Sequence, residues 1–237
     1  MDDHTLAATL AAEAGELLLS IRELGGRVGD LRSNRLLLDR LARARPADLV
    51  LSEESPDDLA RTERSRVWIV DPLDGTREFG EPGRTDWAVH VALAIDGDPV
   101  VGAVALPAAG TVLHTGQPPV LADPPPPGTV RVALSRSRPS FDVLRMVSRL
   151  SAIEVPMGSA GAKAMAVVRG QADIYAHSGG QYEWDSCAPV AVARAAGLHV
   201  SRLDGSPLRY NRPDPYLPDL LICRPELAEQ ALKALSE

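Results

Sequence analysis

A proline-rich segment in the middle of the chain is the feature that most restricts its fold. Six of the twelve residues from 117 to 128 are proline, namely Pro118, Pro119, Pro124, Pro125, Pro126 and Pro127. Proline fixes φ and removes a backbone donor, so such a run forms neither a helix nor a central strand. We therefore predict a semi-rigid connector at 118–128 between an N-terminal α+β lobe, 1–117, and a C-terminal α/β lobe, 129–237.

Hydrophobic spacing predicts alternating elements in both lobes. Apolar residues three, four or seven positions apart predict a helix from about residue 6 to 24, which Gly25 and Gly26 should end, and a second helix from about 30 to 45. The predicted strands of this lobe are 49–51, 67–70, and a hairpin of 87–95 with 100–106. Beyond the connector we predict strands at 130–134, 173–175 and 198–201, and helices at 141–150, 162–169, 186–196 and 226–235. This alternation predicts an α/β protein with helices covering a sheet.

Composition excludes several classes of protein. The 237 residues are 45% hydrophobic and 24% charged, as in globular proteins, and the only cysteines, Cys187 and Cys223, cannot form a disulfide scaffold. A net charge of −7 disfavours nucleic acid and anionic membranes as partners. The N-terminus lacks the features of a signal peptide, and no apolar run reaches the ~18 residues of a membrane span. We therefore expect a cytoplasmic protein.

The most informative segment is 68–76, with the sequence WIVDPLDGT. An apolar strand ends at Asp71, and Pro72 is expected to stop the strand pairing there. The carboxylates of Asp71 and Asp74 and the carbonyl of Leu73 can converge on one point across the turn. Oxygen ligands of this kind suit Mg²⁺ or Mn²⁺ rather than zinc. The alternative is a Pro-Asp-Gly turn with solvated carboxylates.

Two neighbouring patterns could bind an anion. If a helix begins at Gly75 and Thr76, its free N–H groups form an anion site. Residues 158–163, with the sequence GSAGAK, lead into a predicted helix. Taken separately they are a loop, but beside a metal cluster they could cradle phosphate or ribose oxygens.

Two further acidic clusters lie at element boundaries. Residues 52–55, SEES, follow a predicted strand and are otherwise an exposed loop or a helix cap. Residues 183–185, EWD, precede a predicted helix, so Asp185 is otherwise its N-cap. A capping carboxylate can also bind a metal only if its second oxygen stays free.

In this order, Glu53-Glu54, DPLDGT at 71–76 and Trp184-Asp185 resemble the signature of the inositol monophosphatase superfamily. Its members are Mg²⁺-dependent, lithium-sensitive phosphomonoesterases with a layered αβαβα fold. The resemblance implies that fold, two or three Mg²⁺ ions (or Mn²⁺), a small phosphorylated substrate, and a monomer or homodimer.

The resemblance also implies roles for the matching residues. The implied metal ligands are Glu53, Asp71, the Leu73 carbonyl, Asp74 and Asp185. Thr76 matches the threonine that orients the attacking water, Asp30 matches its partner, and Glu53 matches a catalytic glutamate. The backbone of Gly75 and Thr76 would hold the phosphate. The loop before Asp30 is shorter than the superfamily usually has and offers only Arg22 and Arg27.

Glu183 and Lys163 resemble one branch, the CysQ-type 3′(2′),5′-bisphosphate nucleotidases of actinobacteria. This implies hydrolysis of 3′-phosphoadenosine 5′-phosphate to AMP and phosphate, with Lys163 and Arg209 nearest the remote phosphate. The implied substrate-binding residues are Glu53, Leu73, Asp74, Gly75, Thr76, Ser159, Lys163, Asp185 and Arg209.

Three interpretations stay open at this stage. Residues 204–211, DGSPLRYN, have either a substrate-side role or form a strand-terminal turn. His90 and His177 are interpreted as structural or peripheral. The alternative functions are a phosphatase for inositol 1-phosphate or fructose 1,6-bisphosphate, and a non-catalytic metal-binding homologue.

Overall fold

A computed structural model describes residues 1–121, 123–124, 126 and 128–236. Its helices are α1 (Asp3–Ser20), α2 (Gly26–Ala44), α3 (Thr76–Gly80), α4 (Phe141–Leu150), α5 (Ala160–Val168), α6 (Glu183–Ala195) and α7 (Ala228–Ser236). Its strands are β1 (Leu49–Ser52), β2 (Arg66–Asp74), β3 (Ala88–Ile95), β4 (Asp98–Leu106), β5 (Thr111–His114), β6 (Arg131–Ser135), β7 (Ile153–Met157), β8 (Ile174–Tyr182), β9 (His199–Ser201) and β10 (Tyr216–Cys223). Within the predicted connector, Ala122, Pro125 and Pro127 lie outside the described residues.

The elements form two five-stranded sheets flanked by helices. The first has the order β1-β2-β3-β4-β5, with β1 and β2 parallel and the other pairs antiparallel. The second has the order β7-β6-β8-β10-β9, with β6 parallel to both β7 and β8. The predicted hairpin is the β3–β4 pair. The division into two lobes stays a prediction.

Three apolar clusters show how the layers stack. In β2, Trp68 and Val70 pack against α1 and α2, whereas Val67 and Ile69 face α5 and α6, as the alternation of side chains along a strand requires. A third cluster joins the second sheet to α4 and α7. The order of layers is therefore αβαβα, which confirms the expected fold class.

The middle layer, α5 with α6, is built mainly from small residues. The sequences AGAKAMAVV and EWDSCAPVAVARA bury almost every side chain between the two sheets. Small side chains allow helices to approach neighbouring elements closely. The two sheets consequently contribute to one continuous core. Among the described helices, none is both long and apolar enough to cross a membrane.

The helix boundaries near the N-terminus differ from the prediction. Helix α1 ends at Ser20, and a short 3₁₀ turn, Arg22–Leu24, follows it. Gly25, with φ of 84°, then precedes α2 as its N-cap. The glycine pair therefore starts the second helix rather than ending the first, because Gly25 provides a left-handed bend at low cost.

Strand β2 also differs, since it continues beyond Asp71 to Asp74. Asp71 pairs with His90 of β3 and Asp74 with Ala88, so Pro72 lies in a bulge where the pairing is interrupted and then resumes. A bulge accommodates the missing N–H of proline.

The other differences concern missed strands and the start of α6. Strands β5, β7 and β10 were not predicted, and β5 and β7 are only partly buried. Strands β7 and β10 also contain Pro156 and Pro218, residues that argue against a strand in sequence. Helix α6 starts at Glu183, three residues before the predicted position.

Candidate functional site

Three buried or partly buried carboxylates converge at the end of β2. Ligand oxygens of Asp71, Asp74 and Asp185 all lie within 4.8 Å of one another. The Asp71 carboxylate accepts a hydrogen bond from the Leu73 N–H through Oδ1 at 3.0 Å, which tightens the bulge. The structure therefore brings together three of the predicted metal ligands.

Asp185 is not the N-cap of α6 but its third residue. Its Oδ2 accepts a hydrogen bond of 2.6 Å from the N–H of the N-cap residue, Tyr182, and forms a capping box. This bond occupies one carboxylate oxygen. Asp185 can thus cap the helix and still offer its other oxygen to a metal ion.

Burial and mutual repulsion change the protonation of these carboxylates. Burial, together with the charges of Glu53 and Asp74, raises the pKa of Asp71 well above its usual value. Burial and the charge of Asp74 raise the pKa of Asp185 to about 6. Part of Glu53 is exposed, yet shielding from water and the negative charge of Asp185 raise its pKa to about 7. An all-oxygen donor set whose members repel one another fits a divalent cation of the Mg²⁺ type.

Asp74 behaves differently because the start of α5 binds it. Its Oδ2 accepts hydrogen bonds of 2.6 Å from the Ser159 hydroxyl and from the Gly161 N–H, and its Oδ1 accepts one of 3.2 Å from the Ala160 N–H. Burial opposes the charge, but the bonds from His90, Ser159 and Gly161 lower the pKa of Asp74 to about 2. This carboxylate stays ionised.

The same contacts change the interpretation of residues 158–163. The N–H groups of Gly158 and Ser159 donate to Asp86, and those of the next two residues donate to Asp74. Ser159 is also buried and does not line the cavity described below. These N–H groups already have acceptors in Asp74 and Asp86, so they are not free to cradle phosphate or ribose oxygens as the sequence had suggested.

His90 is more closely involved than a structural residue would be. The ring is fully buried, with Nε2 3.2 Å from Asp74 Oδ2 and Nδ1 3.0 Å from the Trp184 carbonyl. Burial opposes protonation, but Asp74 outweighs it and raises the pKa of His90. His90 thereby joins β3, Asp74 and the start of α6. The signal in the sequence was a histidine in a strand that is otherwise apolar on both faces.

Gly161 is required by this arrangement. A Cβ at this position would lie 2.0 Å from His90 Nε2, a distance that real structures do not tolerate. We expect Gly161→Ala to destabilise the protein by about 1–3 kcal/mol and to lower turnover, because His90 and the Asp74 carboxylate must shift. Urea denaturation and kcat measure the two effects.

Gly80→Ala is the matched control for this substitution. A Cβ at Gly80 meets nothing within 4 Å, so stability and turnover should stay close to the wild type. Equal behaviour of the two variants would show that the close approach of His90 to Gly161 has no importance for the site.

Thr76 and Asp30 are in contact, as the resemblance implied. The Thr76 hydroxyl lies 3.3 Å from Asp30 Oδ2 and 3.2 Å from the Leu73 carbonyl, and its single proton can be donated to either acceptor. Burial and the charge of Glu54 raise the pKa of Asp30 to about 7.

Gly75, which precedes Thr76, has φ of 88°, and a Cβ there would meet the Ser159 Cβ at 3.0 Å. A glycine is therefore needed for β2 to turn into α3.

A cavity of about 650 Å³ opens beside the carboxylates. Its wall includes Glu53, Asp74, Asp185 and residues 177–182. This volume lies within the range of small-molecule sites in proteins. The carboxylate cluster therefore forms part of the wall of a site large enough for a small ligand.

The cavity contains one of the two predicted basic residues. Lys163 is buried in its wall, where the ammonium donates to the Gly158 carbonyl and lies 5.4 Å from the centre of the Tyr175 ring. Arg209 instead forms an ion pair of 2.8 Å with Asp98 on the β3–β4 turn and does not line the cavity.

Sequence reasoning also missed residues that line the cavity. His177 is among them, with Nε2 2.9 Å from the Gly180 carbonyl, so it is not peripheral. The missed basic residues of the wall are Arg77 and Arg138. No local signal distinguished these arginines from the many others in the chain.

Comparison with known proteins identifies relatives that span nearly the whole chain. Residues 27–237 match the inositol monophosphatase family. The chain is 54% identical over 240 residues to the 3′-phosphoadenosine 5′-phosphate phosphatase of Mycobacterium bovis, with 95% of this chain and 90% of that protein covered. It is 30% identical over 201 residues to the 3′(2′),5′-bisphosphate nucleotidase CysQ of Escherichia coli, with 79% and 80% covered.

Solved structures agree with this match. The CysQ structure from Bacteroides thetaiotaomicron has a TM-score of 0.79 and 26% identity, with 94% of this chain and 97% of that chain covered. An inositol monophosphatase from Anabaena has a TM-score of 0.81 at 23% identity, with 98% and 94% covered. The second comparison bears on the fold alone.

Proposed function

Because the chain belongs to the inositol monophosphatase family and is a metal-dependent phosphatase, we propose that it hydrolyses 3′-phosphoadenosine 5′-phosphate to AMP and phosphate. The observation that carries this proposal is the carboxylate cluster at the wall of a cavity of about 650 Å³. Identities of 54% and 51% to mycobacterial phosphatases named for that substrate support it.

We further propose Mg²⁺ as the cofactor. Its ligands would be Glu53, Asp71, the Leu73 carbonyl, Asp74 and Asp185. When bound, Mg²⁺ supplies positive charge for the phosphomonoester dianion and activates water. The donor set supports this choice because carboxylate and carbonyl oxygens suit Mg²⁺ better than they suit zinc.

In this proposal the remaining residues orient the reacting groups. The Thr76 hydroxyl donates to Asp30 or to the Leu73 carbonyl, and its lone pairs accept a hydrogen bond from the attacking water and fix its direction. Asp30, with a pKa of about 7, can receive a proton from the water through that hydroxyl near neutral pH. The N–H groups of Gly75 and Thr76 contact the phosphoryl group as its charge develops. Neither cysteine takes part, since both are buried.

Lys163 is proposed to contact the phosphate that is not cleaved. It is a buried lysine in the wall of the cavity, where burial lowers its pKa and the charges of Asp74 and Asp185 oppose that effect, and inositol 1-phosphate has no second phosphate for it to contact. Arg209 is left out because it pairs with Asp98. A remote contact of this kind aligns the reacting ester, so it acts on kcat/KM.

Steady-state hydrolysis of a substrate panel tests the proposal. A charge-assisted contact contributes roughly 1.5–3 kcal/mol, so kcat/KM for 3′-phosphoadenosine 5′-phosphate should exceed that for inositol 1-phosphate by about tenfold to a hundredfold. Lys163→Ala should narrow this ratio and barely change hydrolysis of inositol 1-phosphate. The control is Lys233→Ala, which should leave the ratio unchanged. Lys233 is the only other lysine of the sequence, and it lies at an exposed position of α7.

Two outcomes would contradict the assignment of substrate. If the wild type hydrolyses inositol 1-phosphate or fructose 1,6-bisphosphate as efficiently as the nucleotide, the proposed substrate is wrong and the phosphatase activity stands. If the ratio stays at its wild-type value in Lys163→Ala, another residue contacts the remote phosphate.

A further inference from the structure

Residues 204–211 do not line the cavity, and the structure gives them another position. They follow β9 and end against the start of α6. The buried Tyr210 hydroxyl lies 3.1 Å from the Ser186 hydroxyl, and the Tyr210 N–H donates to the Gly97 carbonyl at 3.0 Å. The end of this stretch is therefore fixed against α6 and the turn between β3 and β4, and it is not part of the cavity wall.

Glu183 holds the residues that come next. Its side chain is buried, and its two carboxylate oxygens accept hydrogen bonds from the N–H groups of Asn211 at 2.7 Å and Arg212 at 2.9 Å. Glu183 is the first residue of α6, and Asp185 is the third. A displacement of Asn211 therefore acts on the helical turn that carries Asp185.

The side chain of Asn211 extends this connection to another part of the chain. Its Oδ1 accepts a hydrogen bond of 2.9 Å from Arg61 Nη1, and its Nδ2 donates to the carbonyls of Arg61 at 3.0 Å and Arg64 at 3.2 Å. Asn211 has φ of 59°, a left-handed conformation that asparagine adopts more readily than most residues. Its side chain thus ties the 61–64 segment to α6.

Arg61 is a fully buried arginine, and it completes the connection. Its Nε and Nη2 bind the two oxygens of Asp57 at 2.6 and 2.8 Å. Both residues belong to the connection between β1 and β2, which begins with Glu53. A continuous chain of hydrogen bonds therefore runs from Asp57, four residues after Glu53, through Arg61 and Asn211 to Glu183, two residues before Asp185.

We propose that Asn211 is a positioning residue that sets the place of Glu53 relative to Asp185. The inference rests on the proposed function, since these two carboxylates are proposed metal ligands. Neither carboxylate is held to the other by a direct bond in this network, so the spacing depends on the backbone segments that carry them. Groups that orient metal ligands in this way typically change metal affinity or activity about 10–100-fold when they are removed.

Asn211→Gly tests the proposal without disturbing the backbone. Glycine accepts a φ of 59° and keeps the N–H that Glu183 binds, but it lacks the amide that reaches Arg61. We expect the Mg²⁺ concentration for half-maximal activity to rise about tenfold. The rise in Tm that Mg²⁺ produces without substrate should require correspondingly more Mg²⁺. This second readout measures binding and does not depend on turnover.

Asp219→Ala is the matched control. Asp219 joins Arg202 to β10 through bonds of 2.7 Å and is not part of the network around Asn211. Its loss should lower the Tm with and without Mg²⁺ and leave the half-maximal Mg²⁺ concentration unchanged. If Asn211→Gly behaves like Asp219→Ala, Asn211 only stabilises the fold and the inference is wrong.

Measurements on the wild type distinguish an error in the role of Asn211 from an error in the proposed function. Mg²⁺-dependent hydrolysis and a Mg²⁺-dependent Tm in the wild type support the function, whatever the variant does. If Mg²⁺ changes neither property of the wild type, both the proposed function and the role of Asn211 are overturned.

Discussion

Asp71→Asn is expected to lower kcat by roughly 10²–10³-fold while making the metal-free protein more stable. The side chain is only 1% exposed, and burial and negative neighbours raise its pKa. Asparagine has nearly the same shape, its oxygen can still accept from the Leu73 N–H, and its amide can donate to neighbouring carboxylates. Asparagine cannot ionise, so folding no longer has to protonate this group or bury its charge, and the free energy of unfolding should rise by about 1–3 kcal/mol. Urea denaturation in EDTA and steady-state kinetics in Mg²⁺ measure the two changes.

The matched comparison for Asp71→Asn is Asp74→Asn. Both residues are buried aspartates of β2, but Asp74 is stabilised as an anion by the start of α5 and by His90. We expect Asp74→Asn to lose activity and stability together, because an amide cannot satisfy all of these donors. A metal-free Asp71→Asn protein that is less stable than the wild type would contradict our account of the cluster.

Removal of the metal with EDTA should lower phosphatase activity by more than about 10²-fold and give the protein an unusual dependence of stability on pH. The folded-state pKa is raised to about 7 for Glu53 and Asp30 and to about 6 for Asp185. In the unfolded chain these groups titrate near pH 4. The folded protein therefore binds more protons between about pH 4 and 7, and its stability falls as the pH rises through that range.

The expected loss of stability is several kcal/mol and comes mainly from Asp30 and Asp185, because a shift of one pKa unit corresponds to about 1.4 kcal/mol. Solvent screens the share of the exposed Glu53. His90, whose pKa is raised, adds to the loss as its proton leaves. Burial lowers the pKa of three other histidines, His114, His177 and His199. These residues make the folded protein more stable as the pH rises to about 6.5. Mg²⁺ should reverse the trend, because its ligands must be deprotonated and its binding strengthens as the pH rises.

Thermal unfolding from pH 4 to 8, with EDTA and with Mg²⁺, measures this difference. A flat metal-free profile over that range would contradict the pKa values on which the prediction rests. Full hydrolysis after complete chelation would overturn the metal-dependent mechanism itself. Glu16→Gln, at an exposed carboxylate on α1 outside the cluster, is a control that should leave both profiles unchanged.

The sequence predicted what depends on neighbouring residues along the chain. The fold class and the family are confirmed, and residues 68–76 do bring Asp71, Leu73 and Asp74 to one end of a buried strand. The motif was readable because the strand, turn and carboxylates are contiguous. The catalytic and ligand roles of these residues stay predictions.

What the sequence did not predict depends on partners that are far apart along the chain. Nothing in a loop of small residues indicates that its N–H groups will meet Asp74, which lies 87 positions before Gly161. For the same reason Arg209 could not be told from Lys163: the pairing of Arg209 with Asp98 depends on how the sheets stack. Pairing across layers is a property of the whole fold.

The small residues of the middle layer also determine how far apart the carboxylates lie. Asp74 comes from a sheet and Asp185 from a helix packed on it, so the closeness of that packing sets the distance between the two carboxylates, whose ligand oxygens lie within 4.8 Å of each other. The alanines and glycines of this layer therefore fix how closely the helices approach the sheet that carries Asp74. We expect that a single methyl group added in this layer would weaken metal binding while the protein still folds. The spacing of the proposed metal ligands therefore depends on close packing in a helix layer between the two sheets.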